Sequence, residues 1–199
     1  MRLDITTVAN LVTRSLPLLD RGFTESAKTD SYLIYNSPWC RIKFLIEKDR
    51  TQDYLHVYYG RLHAADNSWT MKWKRENCSC WRHHADLQLL LEFLDGISPQ
   101  EAYQRHLKPV PFIQDYYDSE FYQSMTSSEE RTLKLHAAIW EHYGMQFFEL
   151  FDLRRPELWE NYIDFLKAYY TLSYEETRTV HEKRGMTWNP SEPLGYKVC

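Results

Sequence analysis

Apolar residues at Ile5, Val8, Leu11, Val12 and Leu16 recur at the three- and four-residue spacing of one helical face, and Pro17 follows where a helix must stop or kink. The pattern predicts an N-terminal amphipathic helix. After a polar stretch over residues 24–31 the period shortens to two. Residues 31–35 form a short β-rich run, and Ile42, Phe44 and Ile46 alternate with Arg41, Lys43 and Glu47. Leu55, Val57 and Tyr59 alternate with Tyr54, His56 and Tyr58, and Trp69, Met71 and Trp73 alternate with Thr70, Lys72 and Lys74. Residues 49–53 have the composition of a hairpin turn. Short connections of this kind join antiparallel neighbours, so the four runs predict a four-stranded antiparallel meander.

A sheet with one apolar face needs a cover, and helices flank this one on both sides in the sequence. The later helix starts near His83, carries Leu87, Leu90, Leu91 and Leu94 at helical spacing, and meets a C-cap at Gly96. Ser98-Pro99-Gln100-Glu101 then opens another, with a serine N-cap, proline at the first position and a capping-box glutamate. Beyond a junction at Pro109 and Pro111 only helices are expected. Ser127 with Glu130 caps one whose stripe runs through Leu133, Ala137, Trp140, Gly144, Phe147 and Phe151. Pro156 opens the next, with Leu158, Tyr162, Phe165, Leu166 and Tyr169 inward, and Ser173 with Glu176 caps a last one ending near Lys183-Arg184-Gly185. The expectation is an α+β protein: a helix–sheet–helix core over residues 1–108, with an all-helical extension over 109–199 packed on it.

Composition adds to this in three places. Fifteen Tyr and seven Trp in 199 residues promise a ring-rich core whose polar tips need partners. The net charge of −4 divides into +2 for residues 1–108 and −6 for 109–199, a balance that disfavours a nucleic-acid binder and suggests complementarity between the two parts. Asp4 and Arg14 interrupt the stretch that would serve as the apolar run of a signal peptide, and no eighteen uncharged apolar residues follow one another. With only four cysteines, at 40, 78, 80 and 199, no dense disulfide framework is available, and the expectation is a cytoplasmic chain of free thiols with no membrane association.

Two groups of residues carry candidate chemistry. Cys78, Cys80, His83 and His84 supply two thiolate and two imidazole donors within seven residues, between the last predicted strand and a helix. One residue between the cysteines departs from the two-residue spacing of a zinc knuckle, and no second pair follows at finger spacing. Cys40 and His63 complete a zinc site only if the fold brings them there. Cys80 near a helix N-terminus, with His83 or His84 as base, is the candidate for thiol catalysis. A reduced cysteine pair beside helix-start histidines explains the same residues without chemistry.

The second group is the sheet face opposite the apolar set. Arg41, Lys43, His56, Tyr58, Lys72 and Lys74 share it if the register is as read, giving a basic aromatic surface. Such a surface stacks bases in sheet-based RNA readers, but the aromatic-glycine signature of those modules is missing. The six glycines are too scattered for a phosphate cradle, and no Gly-x-Ser-x-Gly elbow occurs. His136 beside Leu133 and Trp140 reads as a hydrogen-bonded histidine at the edge of the core. The favoured function is an accessory protein without catalysis that binds a protein partner through the sheet face or the loop at residues 77–84. A metal- or thiol-dependent enzyme using the cysteine–histidine group comes second, and RNA binding through the sheet third. The sequence leaves the oligomeric state open.

Overall fold

The computed structural model describes residues 3–48, 50, 53–62, 87–105 and 108–184. The fold is mixed α+β, with a four-stranded antiparallel sheet, flanking helices and a helical C-terminal region. The chain divides into two compact units, one of residues 1–62 with 109–156 and the other of residues 63–108 with 157–199.

The first unit holds the sheet. Helix α1 (Ile5–Ser15) begins where Asp4 Oδ1 accepts the backbone N–H groups of Thr6 and Thr7, both at 2.9 Å. It ends before Pro17, with Leu16 N–H still bonded to Val12. Val8 and Val12 are fully buried on its inner side. Strands β1 (Thr24–Lys28), β2 (Tyr32–Asn36), β3 (Cys40–Lys48) and β4 (Asp53–Arg61) pair in that order, every pair antiparallel. The meander is as expected, but its membership differs. β1 forms from the polar stretch that shows no alternation, and the predicted run around Trp69–Trp73 lies outside the described residues.

Register sorts the side chains. Leu33 pairs with Phe44, Tyr35 with Ile42, and Ile42 with Tyr59, so these residues share one face with Ile46, Leu55 and Val57. Helix α6 (Ser128–Tyr143) packs on β4 and against α1 over that face. Ser127 Oγ caps α6 by accepting Glu130 N–H at 3.2 Å, as its spacing predicted. Two shorter helices, α4 (Pro111–Asp118) and α5 (Glu120–Ser124), precede it and had no counterpart in the sequence reading. The stripe expected to run unbroken to Phe151 is interrupted at Gly144, whose φ of 57° and ψ of −132° end α6 and start α7 (Met145–Glu149). A backbone conformation of this kind favours glycine. The break lets Phe147, Phe148 and Phe151 turn into the core, where each is fully buried.

At the centre of this core stands Tyr59. Its ring meets Phe147 edge-on at 4.8 Å and stacks with Phe151 at 6.1 Å between centroids. Its hydroxyl accepts the indole N–H of Trp140 at 3.0 Å and lies 2.8 Å from His136 Nδ1. An indole only donates, so the phenol keeps its own proton for Nδ1, and it donates there in the tautomer that carries the histidine proton on Nε2. Burial holds the His136 imidazole neutral, its pKa lowered to about 3. The three polar tips thus pair with one another inside an apolar shell, as buried polar groups must.

The second unit is helical in its described part: α2 (Leu87–Leu94), α3 (Pro99–Gln104) and the residues of α8 (Pro156–Lys183) that follow Pro156. Gly96 adopts a φ of 70° after α2, and Ser98 Oγ caps α3 through Glu101 N–H at 3.2 Å. Phe93 packs on Tyr162 and Phe165 at 5.5 and 5.7 Å, and Tyr103 meets Tyr169 at 5.9 Å. The two helices expected on either side of Ser173 are one, because α8 passes through that residue without a break.

Candidate binding surface

The outward face of the sheet is set by the same register. Lys43 pairs with Ile34 on one side and Tyr58 on the other, while Leu45 pairs with Tyr32 and His56, and Arg41 with Asn36. Three strands therefore bring together Tyr32, Ile34 and Asn36; Arg41, Lys43, Leu45 and Glu47; and Tyr54, His56 and Tyr58. The structure places Arg41, Lys43, His56 and Tyr58 on this common face, as the alternation predicted. Lys72 and Lys74, assigned to the same face from the sequence, lie outside the described residues.

Sequence reading missed Tyr32 and Tyr54. Tyr54 was legible, since it is two residues from His56 on the same strand. Tyr32 was not, because its place depends on how β2 registers against β3. That register is held by the turn at residues 37–39, where Ser37 Oγ accepts the N–H groups of Trp39 and Cys40 at 3.2 and 3.1 Å.

The face is basic and aromatic, but part of it is covered. Lys43 is only 9% exposed, and burial lowers the pKa of its ammonium group. Its Nζ stands 4.9 Å from the centre of the Tyr32 ring, a cation–π arrangement that partly replaces lost water. Arg41 donates from Nε to Asn36 Oδ1 at 2.9 Å. His56 Nε2 lies 2.9 Å from Glu47 Oε2 without hydrogen-bond geometry, the nitrogen itself covered although both side chains reach solvent. Along β4 the rings of Tyr54, His56 and Tyr58 follow one another at 6.4 and 6.1 Å. Burial and the Glu47 carboxylate both raise the Tyr58 pKa, so this phenol stays protonated as a donor. Tyr54 is 41% exposed.

The cysteine–histidine group Cys78, Cys80, His83 and His84, together with His63, lies outside the described residues. Among the described residues no three His, Cys, Asp or Glu side chains are placed to hold a metal ion. Cys40, named as a further ligand, is fully buried at the start of β3, and burial pushes its thiol pKa well up. A thiol held protonated is a poor ligand and a poor nucleophile. Tyr59 and His136, which bring a phenol and an imidazole into contact, are enclosed in the core. Among the described residues no helix is long and apolar enough to cross a membrane.

Fold and surface together define a mixed α+β protein with a ring-lined, partly basic sheet face. Compared with protein-family models, with curated proteins and with solved structures, the chain matches none.

Proposed function

We propose that this chain is a cytoplasmic accessory protein without catalysis, which docks a protein partner on the sheet face formed by Tyr32, Arg41, Lys43, Tyr54, His56 and Tyr58. The observation that carries the reading is the row of rings Tyr54–His56–Tyr58 on one regular strand, with the exposed Tyr54 at its end. Tyrosine offers large contact area with few rotatable bonds and a polar tip, and tyrosine and arginine are enriched where interfaces draw their binding energy. Strands fix these side chains in advance, which lowers the entropy lost on binding.

The test is a photo-crosslinking amino acid placed at position 54 of the full chain in cell extract, with position 132 on the exposed side of α6 as control. A discrete protein adduct from position 54, absent from position 132 and lost on Tyr58→Ser, is expected. Equal adducts from both positions, or none from position 54, would overturn the assignment. A competing zinc centre at Cys78, Cys80, His83 and His84 is separated by elemental analysis. Stoichiometric zinc that is lost on Cys78→Ser and Cys80→Ser would displace the binding reading.

A further inference from the structure

The first unit carries a second surface of opposite sign, on the pair of short helices α4 and α5. Residues 109–130 hold five carboxylates and no Lys, Arg or His. Asp115, Asp118 and Glu120 are exposed, and Asp115 and Glu120 have no ion-pair partner among the described residues. Beside them Phe121 is 57% exposed, the most exposed aromatic among the described residues. The same two helices carry three tyrosine rings in contact, with Tyr122 packed on Tyr116 and Tyr117 at 5.5 and 5.1 Å. The geometry is fixed from within, since Ser119 Oγ accepts Tyr122 N–H at 3.2 Å and Gln123 donates to the Tyr117 carbonyl at 2.8 Å.

The patch already accommodates one cation. The Arg131 guanidinium stands 5.4 Å from the centre of the Tyr122 ring, while its Nε donates to the Met125 carbonyl at 2.8 Å. Three carboxylates on adjoining short helices repel one another in the free chain, and a cationic partner relieves that repulsion. Phe121, exposed and next to Glu120 in the chain, is the kind of anchor that interface cores bury.

We propose that the α4–α5 pair docks a lysine- and arginine-rich segment of a partner protein. The cations of that segment meet Asp115, Asp118, Glu120 and the tyrosine faces, and an apolar residue between them covers Phe121. This surface is separate from the sheet face, and either assignment stands if the other fails.

The experiment uses the full chain and a labelled twelve-residue peptide of alternating lysine, arginine and leucine, read by fluorescence anisotropy. A matched peptide carries glutamine in place of every cation. The basic peptide is expected to bind, more weakly as salt rises, and the glutamine peptide not to bind. Phe121→Ser, and separately the combination Asp115→Asn, Asp118→Asn and Glu120→Gln, are each expected to weaken binding by roughly tenfold or more. Removing the same charge elsewhere, by Glu160→Gln, Glu175→Gln and Glu176→Gln on α8, is expected to change it by less than about twofold. Circular dichroism and the urea midpoint confirm that each variant is folded. The proposal is overturned if the basic peptide does not bind at low salt, or if the glutamine peptide binds equally well. It is also overturned if either α4–α5 variant binds like the parent chain, or if the α8 control loses as much as they do.

Discussion

Tyr58 and Tyr59 are neighbours on β4, yet they live on opposite faces of the sheet and under different physics. Tyr59 is 2% exposed, ringed by Phe147 and Phe151, with its hydroxyl shared between Trp140 and His136. Tyr58 is half-buried between His56 and Lys43 on a face that mixes cations, an anion and rings. Each face also meets a histidine, His136 from α6 on one and His56 of β4 on the other. His136 is held neutral by burial, whereas His56 reaches solvent beside Glu47. A period of two assigns residues to one face or the other but leaves the character of the second face open. What marks the first face is its cover of rings: α6 and the short α7 close it, and their aromatic side chains turn a tyrosine and a histidine into structural parts.

The largest expected effect follows from that cover. Tyr59→Ala removes a fully buried ring and leaves His136 Nδ1 and the Trp140 indole N–H without their shared partner. It is expected to cost about 3–5 kcal/mol, whereas Tyr58→Ala costs about 1 kcal/mol or less. Urea unfolding followed by tryptophan fluorescence measures both, and equal losses would erase the distinction between the faces.

Acid is the next lever. The folded-state pKa of His136 lies near 3, below the value near 6.5 of an unfolded histidine. The unfolded chain therefore binds a proton that the folded chain refuses, and stability is complete above pH 6.5 and lost as pH falls towards 3. Between pH 6.5 and 4.5, before most carboxylates titrate, the loss is about 2–3 kcal/mol, at about 1.4 kcal/mol per pH unit. The window avoids Asp4 and Asp152, whose hydrogen bonds to Thr7 and Arg154 lower their pKa values and move their titration to more acid solution. His136→Leu is expected to flatten the slope in this window. A parent chain with no slope between pH 6.5 and 4.5 would mean that water reaches His136.

How far these features could be read beforehand depended on whether a residue's role is local. Ile42, Phe44 and Ile46 announce β3 by alternation, and Ser98, Pro99 and Glu101 announce the start of α3, because each signal lies within a few residues. β1 was invisible: Thr24–Lys28 is polar and almost wholly exposed, and only pairing with β2 makes it a strand. Ser173 resembles a cap, but no Pro or Gly stands between residues 157 and 183, so nothing stops α8 there. On the candidate surface, Arg41, Lys43, His56 and Tyr58 followed from the period, while Tyr32 needed the β2–β3 register. The burial of Lys43 is a tertiary property that no periodicity contains.

Gly144 sharpens the role of the cover. No atom would meet a Cβ there within 4 Å, so a side chain is opposed by the backbone conformation alone, at a φ of 57°. Gly144→Ala is expected to cost about 1–2 kcal/mol. It also pulls α7 out of line, so Phe147 and Phe151 lose part of their packing around Tyr59. The near-ultraviolet circular dichroism of the aromatic cluster should weaken more than the far-ultraviolet helical signal does. If both fall in proportion, the substitution loosens the whole unit rather than the α6–α7 corner.

The smallest effect belongs to the outer face. The His56–Glu47 contact lies between side chains 39% and 64% exposed, in a setting where water and salt screen charge. Exposed pairs of this kind contribute about 0–1 kcal/mol. A double-mutant cycle with His56→Ala and Glu47→Ala, run in low and high salt, is expected to return a coupling below about 1 kcal/mol. High salt should remove what there is. A coupling above about 1 kcal/mol that persisted in high salt would place His56 in a sheltered, structural setting like that of His136, and the outer face would then be a second core rather than a surface offered to a partner.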